Sequence, residues 1–230
     1  MPARDLKQLE NRLNYKFNNI SYLDTALIHK SYSNDMKINK VESYERSEYL
    51  GDAILEYIVS EYLYKEYPDY TEGQLTKLRA SLVCEFTLSQ VSRDIGYGDY
   101  VRLSKGEELT GGRNRSSIMC DLFEAVLGAI YLDGGIEPAK KYVRTFLLND
   151  IEGKMLFYDA KSTLQEYAQS RGSVLEYNLI SENGPDHNKE YCSEVRLDGI
   201  QLAVAKGHSK KASEQTAAYN ALLTINKKQD

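Results

Sequence analysis

The chain carries two sets of carboxylates whose spacing gathers them on helix faces. In "YERSEYLGDAILEYIVSEYLY", residues 44–64, the acids Glu45, Glu48, Asp52 and Glu56 follow at steps of three, four and four. At about 100° per residue those steps put all four on one stripe. Like charges so placed repel by roughly 0.2–0.5 kcal/mol per exposed pair. In "SIMCDLFEAVLGAIYLD" a second pair, Asp121 and Glu124, sits three apart in an otherwise apolar helix, on a face that also carries Gly128. Carboxylates buried without partners are costly, so something positive should lie between them. Arg or Lys side chains would serve, and so would a divalent cation. An oxygen-only donor set lacking His and Cys selects hard ions such as Mg²⁺ or Mn²⁺. An ion held between two such helices would face a phosphate, activate a water and stabilise a leaving oxygen. Spacing alone leaves both options open.

The elements that must position these acids are legible from periodicity. Residues 1–150 read as helix after helix, with apolar residues at threes and fours in "DTALIHKSY", "AILEYIVSEYLY", "LTKLRASLVCEFTLSQVSRDI" and "SIMCDLFEAVLGAIYLD". Breaks fall at "YPDYTEG", "GYGDYV", "LTGGRNRSS" and "LDGG". Thr71 to Gln74 fits a capping box, and no stretch of this half alternates as a strand. After residue 150 the period changes. A short helix, "STLQEYAQSRG", ends at Gly172 and precedes three stretches with period-two features. In the second, Tyr191, Ser193, Val195 and Leu197 share a face; in the third, Leu202 and Val204 do. Asp198-Gly199 is a hairpin signal, and an Ala- and Leu-rich helix closes the chain. The order α-β-β-β-α predicts an α+β domain, with two helices on one face of an antiparallel sheet. The expected division is therefore an all-α domain over 1–150, a linker over 151–158 and a second domain over 159–228.

Bulk properties exclude several classes. No apolar run approaches the roughly 20 residues of a membrane span, and "MPARDLKQLENRLNYKF" lacks the apolar stretch of a signal peptide, so a cytoplasmic protein is expected. The three cysteines, Cys84, Cys120 and Cys192, are far apart and form no C-x-x-C pair, which indicates neither zinc nor disulfides. A net charge of −5 argues against coating nucleic acid by bulk electrostatics, yet leaves room for a local basic patch.

"ERSEYLGDAIL" closely resembles the signature of the ribonuclease III family, and "DLFEAVLGAIYLDGG" resembles its second acidic motif. "LIHKSY" and "GGRNRSSI" fit as well. The second half resembles the double-stranded RNA-binding domain through "STLQEYAQ", "GPDHNKEY" and "KGHSKKASEQTAAYNAL". The match covers nearly the whole chain in the right order. The resemblance implies that Glu48, Asp121 and Glu124 ligate Mg²⁺, with Mn²⁺ as a substitute, and that Asp52 and Glu124 are catalytic. It also implies that Glu45 and Glu72 are accessory acids along the cleavage valley. Tyr44, Ser47 and Tyr49 replace the commoner Asn, Leu and Phe of the family; Tyr49 corresponds to an aromatic that contacts the partner subunit. Glu56 has no family role and reads as an ordinary surface carboxylate.

The RNA-binding half is not basic, with nine Lys and Arg against ten Asp and Glu over residues 159–230. Position counts for more than total. Lys210 and Lys211 open the last helix, where the dipole disfavours cations by about 0.3–1 kcal/mol and a docked phosphate would reverse that sign. By resemblance, His187 in the loop between strands and Ser162, Gln165 and Glu166 on the first helix reach the minor groove of duplex RNA. Such contacts read A-form shape and 2′-hydroxyls. Arg113 and Arg115 read equally as phosphate contacts or as a plain polar loop.

The resulting expectation is a homodimeric Mg²⁺-dependent endoribonuclease for double-stranded RNA. It would leave 5′-phosphate and 3′-hydroxyl ends with short 3′ overhangs, and act on ribosomal RNA precursors and some messenger and transfer RNA transcripts. The alternative is a non-cleaving duplex-RNA-binding regulator, which should have lost at least one of the four acids. A phosphohydrolase of small nucleotides would have no use for the second domain.

Overall fold

The computed structural model describes residues 5–36, 43–184 and 189–226, within two compact units, Met1–Ile151 and Glu152–Asp230. The first is helical, with α1 (Leu6–Leu13), α2 (Ser21–Ala26), α3 (Lys30–Asp35), α4 (Glu45–Glu66), α5 (Glu72–Val83), α6 (Glu85–Ile95), α7 (Lys105–Leu109), α8 (Ser116–Gly134) and α9 (Ile136–Phe146). Among the described residues, the only extended pairing in this unit is an isolated bridge between Ile28 and Arg102.

A helix that is apolar on nearly every side must be surrounded, and α8 is the axis of this unit. Its residues Ile118, Met119, Leu122, Phe123 and Ala125 through Ile130 are buried, and α2, α4, α6 and α9 pack on it. The contact with α4 is the tightest. A Cβ on Gly51 would stand 1.8 Å from the carbonyl oxygen of Glu124, and one on Gly128 would stand 2.2 Å from that of Ser47. Glycine at both positions lets the two backbones touch. The pairs Ser47/Gly128 and Gly51/Glu124 run in opposite senses, so the helices cross antiparallel. In the last turn of α8, the Asp133 carboxylate accepts from the Tyr15 hydroxyl at 2.7 Å and from the Asn18 and Asn19 amides at 2.9 and 2.7 Å, which pins the turn before α2. Thr71 and Gln74 form the expected capping box at the start of α5.

The second unit contains α10 (Ile151–Ser170), β1 (Leu175–Asn183), β2 (Glu190–Leu197), β3 (Ile200–Gly207) and α11 (Lys210–Asn226). The sheet is antiparallel in the order β1-β2-β3. Asp198 and Gly199 both take positive φ, 50° and 78°, as a two-residue turn joining β2 to β3 requires. The core joins Ala160 and Leu164 of α10, Val195 and Ala205 of the sheet, and Ala217, Ala218, Ala221, Leu222 and Ile225 of α11. Small side chains on α11 let it lie close to the sheet; at Gly207 a Cβ would stand 2.6 Å from the Ser213 nitrogen.

Two details differ from the sequence expectation. Residues 151–158, expected as a linker, are helical and form the opening turns of α10. Leu156 packs against the core, and the Phe157 and Tyr158 carbonyls accept from the Gln215 side chain at 2.5 and 2.9 Å. Tertiary partners on α11 thus extend a helix whose own pattern is weak there. The second difference lies in β3. Its register shifts between the pairs Val195↔Ala203 and Arg196↔Gln201, which makes Leu202 an extra residue. Leu202, Ala203 and Ala205 pack toward the helices, whereas Val204 is 40% exposed. A one-residue bulge exchanges the faces that strict alternation assigns. No helix among the described residues is long and apolar enough to cross a membrane.

Gly51→Ala is expected to force α4 off α8 and lower stability by at least about 1–3 kcal/mol, the usual penalty for overpacking. Thermal unfolding of the purified variant checks this.

Candidate metal centre and nucleic-acid interface

The α4–α8 crossing brings together acids that lie more than seventy residues apart. One carboxylate oxygen each from Glu48, Asp121 and Glu124 lies within 4.8 Å of the others. Gly51 falls one turn after Glu48, and Gly128 one turn after Glu124, so the closest backbone approach sits directly beside the cluster. Among the described residues no Lys or Arg forms an ion pair with Glu48, Asp121 or Glu124. Burial pushes Glu48 up to about 7, helped next by the Asp121 charge. Burial also pushes Glu124 up to about 8, helped next by the Asp52 charge. Asp121 is raised by burial too, but a hydrogen bond from the Tyr44 hydroxyl to its Oδ2, 2.8 Å long, works in the other direction. Three desolvated carboxyls without a cationic side chain form a donor set that fits a hard divalent ion. Cys120 lies alongside, its Sγ 4.0 Å from Glu124 Oε1; burial and the adjacent acids push this thiol strongly up, keeping it neutral.

The acidic stripe on α4 divides along its length. At one end Lys30 lies 3.5 Å from Glu45. At the other, Arg79 of α5 pairs with Glu56 at 2.8 Å and donates to the Ser60 hydroxyl at 2.8 Å. Glu56 is therefore a tie between α4 and α5 rather than a free surface carboxylate. Among the described residues, Glu48 and Asp52 have no such partner. Asp52 is exposed, outside the three-oxygen cluster, yet close enough to Glu124 to raise it. Glu72 is exposed in the first turn of α5. Tyr49 projects next to Glu48 with 83% of its surface exposed.

The sequence alone does not signal the roles of Tyr44, Lys30 and Arg79. Tyr44 stands where the family commonly has Asn, and its buried hydroxyl reaches Asp121 across the helix crossing. The pairing of Lys30 and Arg79 with the outer acids carries no local signal. Arg113 and Arg115 prove to be occupied within the protein. Arg113 pairs with Glu108 and donates to the carbonyls of Gly98 and Val101 at 2.7 and 3.0 Å, while Arg115 pairs with Glu107.

In the second unit Ser162, Gln165 and Glu166 are exposed along α10, and Lys210 and Lys211 are exposed in the first turn of α11. Ser209 caps that turn, accepting from the Ala212 amide at 3.1 Å. Lys161, beside Ser162, reaches Glu214 of α11 at 2.6 Å, so the first turns of α11 run alongside the middle of α10. His187 lies outside the described residues.

A family model described as Ribonuclease-III-like matches residues 19–151, and one described as Double-stranded RNA binding motif matches residues 160–225. Proteins named Ribonuclease 3 from Bacillus licheniformis and Anoxybacillus flavithermus are 42% and 45% identical to this chain. Those alignments span 228 and 227 residues, covering 98% and 97% of this chain and 92% and 95% of the relatives. Among solved structures, the nuclease domain of ribonuclease III from Campylobacter jejuni is similar with a TM-score of 0.58 and 38% identity. It covers 62% of this chain and 95% of that one, and is described as flexible in a region involved in dimer formation.

Carboxyls raised in the fold bind more protons than in the unfolded chain, so metal-free stability must fall as pH rises from about 4.5 to about 8. The melting temperature in EDTA is expected to decline across that window, and Glu124→Gln to flatten the decline. Any stabilisation by a divalent ion bound to these carboxyls should grow with pH, because ligation requires the ionised form.

Proposed function

This chain belongs to the ribonuclease III family and is an endoribonuclease with a double-stranded RNA-binding domain; from there we propose that it cuts RNA duplexes using Mg²⁺, or Mn²⁺ in its place, held by Glu48, Asp121 and Glu124. The observation that carries this reading is the cluster of three carboxylate oxygens within 4.8 Å, with no Lys or Arg paired to it among the described residues. A divalent ion bound there supplies a water of lowered pKa and neutralises charge on the departing 3′ oxygen. The residues themselves do the rest. Glu48 and Asp121 hold their position from two helices locked by glycine contacts. Glu124, also a ligand, acts with exposed Asp52 in handling the proton lost at the attacking oxygen. Glu45 and Glu72 are accessory acids along the path of the RNA. The products are a 5′-phosphate and a 3′-hydroxyl.

A duplex has two strands and each helical unit offers one cluster. A homodimer would therefore cut both strands with a short 3′ overhang, and exposed Tyr49 suits a contact with the second copy. Ser162, Gln165, Glu166, His187, Lys210 and Lys211 form the duplex-binding surface, which recognises A-form shape and phosphate. Precursors of ribosomal RNA and structured messenger and transfer RNA transcripts are the natural substrates, and they place the protein in the cytoplasm on this reading.

Incubation of the purified protein with long duplex RNA, with and without Mg²⁺ and with duplex DNA as control, tests the proposal. Cleavage of DNA, or equal cleavage in EDTA, would overturn it. Glu124→Gln should lower cleavage at least about a thousandfold, as expected when several kcal/mol of transition-state stabilisation is lost. Duplex binding by that variant should remain intact in a gel-shift assay. Deleting residues 152–230 should weaken duplex binding strongly and make residual cleavage more sensitive to salt.

A further inference from the structure

Tyr44 connects Asp121 to the interior of the helical unit. It precedes α4 and is 2% exposed. Its backbone amide donates to the Ile28 carbonyl at 2.8 Å, and its hydroxyl crosses to α8 and donates to Asp121 Oδ2 at 2.8 Å. Its ring lies 5.5 Å from that of His29. His29 is fixed in turn. Its Nδ1 lies 2.7 Å from the Ser31 hydroxyl, which also accepts from the Ser104 amide at 3.0 Å. The phenol thus stands on a buried, hydrogen-bonded support and has little freedom to move.

We propose that Tyr44 is a positioning residue for the divalent-cation site, orienting the Asp121 carboxylate toward Glu48 and Glu124 before any ion arrives. The inference rests on the reading of those three acids as ligands. Its physical content is the kind of donor used. A Lys or Arg in the same place would also fix Asp121, but its positive charge would compete with the incoming ion. A neutral hydroxyl fixes the plane of the carboxylate, leaves the second oxygen with both lone pairs free, and leaves the negative charge available. An aspartate without this donor would have to lose side-chain freedom when the ion binds. Removing outer contacts of this kind typically costs about 10–100-fold in metal affinity.

The test uses full-length Tyr44→Phe, which keeps the buried ring and removes only the donor, beside Asp121→Asn. Mn²⁺ binding to the RNA-free protein is followed by loss of the free-ion EPR signal, and cleavage of duplex RNA is measured against Mg²⁺ concentration. Tyr44→Phe should bind Mn²⁺ about tenfold more weakly and raise the half-saturating Mg²⁺ concentration by a similar factor. Excess Mg²⁺ should recover part of the lost rate, and the metal-free melting temperature should stay within a few degrees of the parent. Asp121→Asn should lose Mn²⁺ binding. If Tyr44→Phe kept the parent's Mn²⁺ affinity while Asp121→Asn lost it, the role given to Tyr44 would be wrong and the site reading would stand. If both variants kept it, the site reading and this inference would fall together.

Discussion

The structure of the helical unit turns on one steric fact, the contact of α4 and α8 at Gly51 and Gly128. A methyl group at either position would fall well inside the van der Waals contact distance of a carbonyl oxygen on the other helix. Helices with ordinary side chains at a crossing keep their axes about 8–10 Å apart. With both Cβ atoms absent, backbone meets backbone, and acids one turn away on each helix converge. The apolar shell of α8 then has two roles. It anchors the crossing, and it removes water from Asp121 and Glu124.

That desolvation would be a defect in a purely structural helix. The stripe on α4 shows how the fold limits the cost. Its outer members, Glu45 and Glu56, are neutralised by Lys30 and Arg79, while the inner members face the acids of α8. The unbalanced charge is thereby confined to one place, and burial there raises two carboxyls well above their ordinary range. A site that favours protonation in the absence of a cation gains most from one, which is the electrostatic basis of the proposed Mg²⁺ centre. The Tyr44 hydroxyl orders one of its members without adding positive charge.

The second unit solves a different problem. A three-stranded sheet exposes one face, and the structure covers only the other with α10 and α11. Alanines on α11 and Gly207 on β3 bring helix and strand close, as the glycines do in the first unit. The bulge at Leu202 adds an apolar residue to the covered side at the expense of regular alternation. Lys161, Glu214 and Gln215 join α10 to α11, so the exposed residues proposed to meet RNA sit on braced helices.

The sequence by itself determined the helical character of the first half, the α-β-β-β-α order of the second, the turn at Asp198-Gly199 and the face shared by Asp121 and Glu124. All of these follow from local rules, namely the helical period, turn chemistry and capping. Its motifs also carried the family resemblance, which the matched families and relatives support. What only the tertiary structure decided is which acids meet and which are neutralised. Glu48 joins Asp121 and Glu124, Glu56 goes to Arg79, and Tyr44 reaches Asp121. Likewise the first turns of α10 and the outward turn of Val204 depend on contacts with α11 and on a register shift. Each of these is set by the distance and angle between elements remote in sequence, and no local pattern encodes such a distance.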